Sequence, residues 1–283
     1  MKESKLVNWV GMTLGGNKDQ IARNSAIHDE IAKYYDTAHG EIFNDIEQQR
    51  IRSALVEVSN LLDGSTEKYH ALDFGAGTGN LTNHLLQLGF DVTAADISIK
   101  SLELLKNKYN CRTVMLENGS TKNLTSDSYD LICLYSVLHH VPDYLAILAE
   151  LDRICKPGGV IYIDHENSPV YWERLDEFKS IYKKISKIDW RKYTRASNYV
   201  HKLKSIFIHK YSNEGDIHVW PDDHIEWRDI DRTLEGLGYS RAFESEFLLY
   251  KRNYIKDEYC KFNHSHCDTR CAAYRKIRRY PTE

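Results

Sequence analysis

Cysteine and proline are scarce in this chain, at six and five among 283 residues, and no two cysteines stand in a C-x-x-C pair. So few thiols exclude a disulfide-built scaffold and fit a reducing cytoplasm. Cys111, Cys133 and Cys155 lie in apolar stretches, where a thiol serves as a small hydrophobe. Long apolar runs are also missing. None approaches the ~18 residues that span a bilayer, and the mean hydropathy is −0.55. The first fifteen residues carry no long apolar region ending at a small-residue cleavage site, so no secretory signal is expected. Nor is there an excess of one charge: the net charge of −3 argues against a uniformly basic nucleic-acid binder, although local patches can hide in that total.

What is present is an alternation of short apolar runs with helical periodicity. Helical spacing over residues 18–62, broken at Gly40, predicts two helices before the first strand. From His70 onward the pattern predicts strands near 70–74, 91–95, 112–116, 130–134 and 158–164, with helices near 79–88, 98–107 and 143–153 between them. Such a βαβ series folds into a mostly parallel sheet covered on both faces. Pro157-Gly158-Gly159 marks a turn, and the fifth strand is expected to begin after it. Residues 168–215 interrupt the series with apolar residues at helical spacing. A helix near 224–236 and strands near 240–250 and 269–275 resume it.

Asp73-Phe74-Gly75-Ala76-Gly77-Thr78-Gly79 follows the first strand and opens a helix, where a glycine-rich turn brings backbone N–H groups close to a ligand. A dinucleotide fingerprint needs glycine at position 80, which is Asn80, and the Gly-Lys-Ser/Thr of a nucleoside triphosphate loop is missing. The loop resembles that of class I S-adenosylmethionine-dependent methyltransferases. Asp96, ending the second strand 21 residues after Gly75, stands where an acid accepts both ribose hydroxyls, with Ile97 beside it. Asn118-Gly119 takes the place where this family usually has Asp-Ala against adenine. Tyr135-Ser136, opening the stretch to Asp143, and the turn Leu151 to Gly159 extend the resemblance over roughly residues 70–165.

The resemblance implies a Rossmann-like, mostly parallel seven-stranded sheet with N-terminal helices over 1–62, a cofactor-binding core over 63–167, an inserted helical lid over 168–220 and the rest of the sheet over 221–283. It implies S-adenosylmethionine as cofactor, with Tyr35 of the Tyr34-Tyr35-Asp36 segment closing over it. It also implies a methyltransferase acting on an oxygen or nitrogen of a small molecule. His140, then His139, are the first candidates for a general base, since both follow the fourth strand at the ligand-binding edge and histidine titrates near neutrality. Asp164-His165-Glu166, ending the fifth strand, form a second polar cluster there.

Between Lys179 and Lys210 stand ten Lys or Arg residues against one acid, Asp189, with Tyr182, Trp190, Tyr193, Tyr199 and Phe207 interleaved. This run reads as a cover that attracts an anionic acceptor. RNA methylation through the same run, and a cofactor-binding scaffold without turnover, are the alternatives. Cys260, His264, His266, Cys267 and Cys271 have zinc-ligand chemistry, but their spacing fits no paired module and Cys271 falls in a strand, so no metal is expected.

Overall fold

The structure, a computed structural model, describes residues 16–64, 68–187 and 224–277. Two N-terminal helices, α1 (Gly16–Ile31) and the short α2 (Tyr35–Ala38), lead to α3 (Asp45–Ser59), which starts where the Asn44 side chain accepts the Glu47 N–H. The alternation then runs β1 (His70–Phe74), α4 (Asn80–Gln87), β2 (Asp91–Asp96), α5 (Ile99–Lys108), β3 (Arg112–Met115), β4 (Tyr129–Tyr135), α6 (Tyr144–Ile154) and β5 (Cys155–Asn167). It closes with α7 (Pro169–Glu173), α8 (Leu175–Ile185), α9 (Trp227–Gly236), β6 (Tyr239–Phe247), α10 (Lys256–Cys260) and β7 (Thr269–Lys276).

The seven strands form one sheet in the order β3-β2-β1-β4-β5-β7-β6, with β7 antiparallel to both of its neighbours and the pairings among β1 to β5 parallel. Strand order reverses between β1 and β4, and ligands bind beyond the carboxyl ends of strands at such a switch point. Side chains alternate strictly between the two faces. Leu72, Ile132, Leu134, Ile161 and Ile163 pack under α6 and α9. Ala71, Leu131, Cys133, Val160 and Tyr162 pack under α3 and α4. Both faces are therefore dry, which explains the unbroken apolar runs of the central strands. Ile51, Leu55 and Val58 of α3 lie in that second layer, so α3 is part of the core.

β5 begins earlier than its sequence predicts. Tyr129 of β4 faces Cys155 and Leu131 faces Val160, so residues 156–159 bulge out between two paired stretches of one strand. Gly158 has φ +82 in that bulge, and a side chain on Gly159 would come within 2.9 Å of the Cys155 sulfur. Pro157-Gly158-Gly159 is thus a kink inside the strand rather than a turn before it.

Of the expected cover, α7 and α8 are described, and most of the basic run, from 188 on, lies outside the described residues. α8 packs through Phe178, Ile181 and Ile185 against Leu248, Tyr254 and Tyr259, a small core of its own. The buried Asp268 carboxylate ties this core to β7 by accepting the Tyr182 hydroxyl at 2.6 Å and the Leu249 N–H at 2.7 Å. Lys179, Lys183, Lys184 and Lys187 are exposed. Cys133, Cys155 and Cys271 are buried among apolar side chains, and among the described residues no cluster of three metal-ligating groups occurs. No described helix is long and apolar enough to cross a membrane.

Candidate functional site

At the switch point a cleft opens over the ends of β1, β2 and β4. Its floor is the glycine turn. Gly75, Gly77 and Gly79 have φ of +74, +51 and +96, a left-handed region that costs other residues strain. Gly75 has a second constraint, because a Cβ there would lie 2.5 Å from Val137 across the cleft floor. Gly75 and Gly77 line the cleft, whereas Gly79 caps α4 and touches Tyr109 instead.

Asp96 is 7% exposed, and its carboxylate accepts the Gly77 N–H at 2.8 Å and the Ser98 N–H at 2.7 Å. A carboxylate has about four acceptor positions, so these two bonds do not exhaust it, and Asp96 lines the cleft. Burial raises its pKa, against the Ser98 and Gly77 N–H groups and the nearby His28, and burial likewise lowers that of His28. Asn118 and Gly119 line the far end, both left-handed, at φ +52 and +72. Asparagine tolerates that region better than most residues, a local reason for its place here. Ile97, Tyr135 and Ser136 complete the expected set on the wall.

Asp73 does not reach the main cleft. It lines a smaller adjoining hollow with Ala76 and Thr78, accepts the Thr82 hydroxyl at 2.6 Å, and is pushed up to about 6 by burial. Tyr35 lines both hollows, Tyr34 is 70% exposed, and Asp36 accepts from the Thr78 hydroxyl and from Lys108.

His140 lines the cleft and His139 does not. His139 Nδ1 lies 2.8 Å from Glu166 Oε2, while the other Glu166 oxygen accepts the Val137 and Leu138 N–H groups. Glu166, 2% exposed, thereby fixes the turn that carries both histidines. The His139 and His140 rings are 4.0 Å apart between centroids, and His28 meets His140 edge-on at 5.7 Å. Asp164 belongs to a buried network under the site. Arg50 bonds both Asp164 oxygens at 2.9 and 3.0 Å and Glu47 at 2.6 and 2.9 Å, Tyr135 donates to Glu47, and Tyr162 donates to Asp164.

Sequence reasoning missed the roof. Ile21, Asn24 and His28 of α1 line the cleft, and the Asn24 amide donates to the His140 carbonyl at 3.2 Å. Their i, i+3, i+7 spacing puts them on one helix face, and two polar residues in that stripe were the available signal.

This fold and this turn are those of a Rossmann-like domain. A family model described as a methyltransferase domain matches residues 72–163. Demethylmenaquinone methyltransferase of Renibacterium salmoninarum is 24% identical over 247 residues, covering 84% of this chain and 98% of its own length. Its namesake from Staphylococcus aureus is 31% identical over 173 residues, 59% of this chain and 66% of its own. In fold, an S-adenosylmethionine-dependent methyltransferase of Methanosarcina mazei superposes with a TM-score of 0.52 at 17% identity, covering 79% of this chain and 98% of its own. Magnesium protoporphyrin IX methyltransferase of Synechocystis, solved with bound S-adenosylhomocysteine, gives 0.51 at 16%, covering 89% and 99%. The chain belongs to the class I S-adenosylmethionine-dependent methyltransferases, an enzyme family, and S-adenosylmethionine is its cofactor.

Proposed function

We propose that the chain methylates an oxygen or nitrogen of a small molecule held against the roof of this cleft, with His140 as general base. The observation that carries this reading is the roof itself. Around the glycine turn and Asp96 the lining combines uncharged polar groups (Asn24, Ser101, Asn118, Ser136), the rings of His28, Tyr35, Tyr135 and His140, and apolar side chains, with no Lys or Arg among the described lining residues. Such a wall suits a compact acceptor better than a phosphate backbone. The name carried by the relatives, demethylmenaquinone methyltransferase, supports a quinone-type ring as one such acceptor. The anionic character of the acceptor rests on the basic run from Lys179 to Lys210 alone.

Bound S-adenosylmethionine supplies a methyl group on a positively charged sulfur. The protein's task is then chiefly alignment. The glycine turn would let the backbone approach the cofactor, Asp96 would hold its ribose hydroxyls and Asn118 its adenine amino group. Tyr35 covers them. His140, held from α1 by Asn24 and from β5 through the Glu166-fixed turn, would take the proton that leaves the acceptor atom as that atom's lone pair bonds to the methyl carbon and the carbon–sulfur bond breaks, its electron pair staying on the sulfur.

Methyl-labelled S-adenosylmethionine should label a small-molecule fraction from a panel of phenols, hydroquinones and amines, and leave total RNA unlabelled. Label in RNA would overturn the reading. His140→Ala should lower turnover ~10²-fold while S-adenosylhomocysteine affinity stays within about twofold.

A further inference from the structure

A histidine acts as base only while one ring nitrogen carries no proton, and for His140 the charge beside it decides that. The closest titratable ring is its own neighbour His139, 4.0 Å away between centroids. A positive charge on His139 opposes a second one on His140, because two imidazolium ions at that distance repel each other.

Glu166 decides where the proton of His139 sits. Its side chain is buried, one oxygen accepts the Val137 and Leu138 N–H groups, and the other meets His139 Nδ1 at 2.8 Å. Opposite it on β7 stands Arg270, whose guanidinium turns instead to Glu244 and Glu246 at 3.3 and 2.7 Å. Among the described residues His139 is thus the one cationic partner within ion-pair distance of this carboxylate. A buried carboxylate needs a counter-charge, so the shared proton belongs on the imidazole. The other titratable groups around His140 do not supply that cation. His28 of α1, edge-on to His140 at 5.7 Å, is held below the usual histidine range chiefly by burial, and Asp96, Tyr35 and Tyr135 line the same cleft. Asp143, on the turn that follows, is exposed and caps α6.

We propose that Glu166 is a positioning residue of the methyl transfer: its carboxylate holds a proton on His139, and the resulting imidazolium keeps His140 unprotonated and ready to take the acceptor's proton. This rests on the reading of His140 as base and says how that base is kept in working form. Glu166 acts through His139 alone. For the same reason, a proton that His140 gains during transfer is readily lost to water, which resets the base for the next cycle.

The test follows the histidine ring signals by NMR in the full chain, labelled at histidine and saturated with S-adenosylhomocysteine, from about pH 5 to about pH 9. His139→Gln and His140→Gln identify the two signals. In the wild type His140 should lose its proton about one pH unit or more below His139. Glu166→Gln keeps an oxygen for the Val137 and Leu138 N–H groups and removes the charge. It should lower the His139 midpoint and raise that of His140 by about one unit. His139→Gln, which removes the cation altogether, should raise the His140 midpoint at least as far and decides the matter if Glu166→Gln fails to fold. Cofactor affinity should be unchanged in both. Midpoints that stay put in Glu166→Gln, with only a lower melting temperature, would make Glu166 a brace for the turn and overturn the proposal, as would a His140 midpoint that falls. The NMR titration needs no acceptor, so it is separate from the fate of the base: full turnover in His140→Ala would strike the base and this role with it, whereas the midpoints decide whether Glu166 governs the proton.

Discussion

The half of the cleft over β1, β2 and β3 and the half at the ends of β4 and β5 are built by different means. In the first, the backbone does the shaping: three left-handed glycines, two N–H groups on Asp96 and a left-handed Asn118-Gly119 turn, all within sixty residues of one another. In the second, side chains from α1, α3, β4 and β5 converge, and the contacts span long stretches of chain, such as Arg50 to Asp164 and Asn24 to His140. A backbone cradle serves the cofactor that the whole family shares. A side-chain assembly can be rebuilt for a different acceptor while the cradle stays unchanged.

The sharpest test of that contrast is Arg50→Met. Arg50 is the one guanidinium between the buried carboxylates of Glu47 and Asp164, at side-chain exposures of 19%, 2% and 0%. Its removal leaves two buried acids facing each other, which should cost ~3–5 kcal/mol of stability in a denaturant titration. If the two halves are independent, the fraction that remains folded should bind S-adenosylhomocysteine normally. Weakened cofactor binding in that fraction would show that the side-chain assembly also supports the cradle.

Asp96→Ala is the converse, a lesion confined to the cradle. It removes the acceptor offered to the ribose hydroxyls and should weaken S-adenosylhomocysteine binding by ~1.5–3 kcal/mol in calorimetry. Binding of the acceptor should fall only to the extent that it needs the cofactor in place. Unchanged cofactor affinity would mean that Asp96 serves the turn through Gly77 and Ser98 and nothing else.

The same contrast decides what the sequence reveals. Asp73 to Gly79, Asp96 and Asn118-Gly119 are readable because each residue acts through its own backbone or a near neighbour, so local spacing carries the signal. β1 to β4 and β7 are legible to within a residue at each end for the same reason, since their apolar runs are short and local, whereas β5 and β6 differ from expectation by three residues at an end. Glu166 was visible only as one member of a polar strand end. Its task, fixing the turn of Val137 and Leu138 and meeting His139, depends on which strands are neighbours. Likewise, nothing near Glu47 or Arg50 in the sequence says that α3 will bring them under Asp164. The start of β5 was misplaced because Pro157-Gly158-Gly159 has the composition of a turn, and only pairing across both sides of it makes a bulge.

The smallest expected effect lies on the seam between the halves. Asp36, just past Tyr35, accepts from Thr78 of the glycine turn and from Lys108 of α5, the latter at 2.6 Å with the two side chains 38% and 40% exposed. An ion pair this open to water contributes less than ~1 kcal/mol and weakens further with salt. Lys108→Met should therefore leave the melting temperature nearly unchanged and alter cofactor affinity by no more than about threefold, with the difference vanishing at high ionic strength. Thr78 would still hold Asp36. If turnover instead fell tenfold with cofactor affinity intact, the segment carrying Tyr35 would have to open and close over the cleft in each cycle, with Lys108 as its latch. The halves would then be coupled through motion although their static contacts are few, and the separation argued from their construction would hold for binding but not for catalysis.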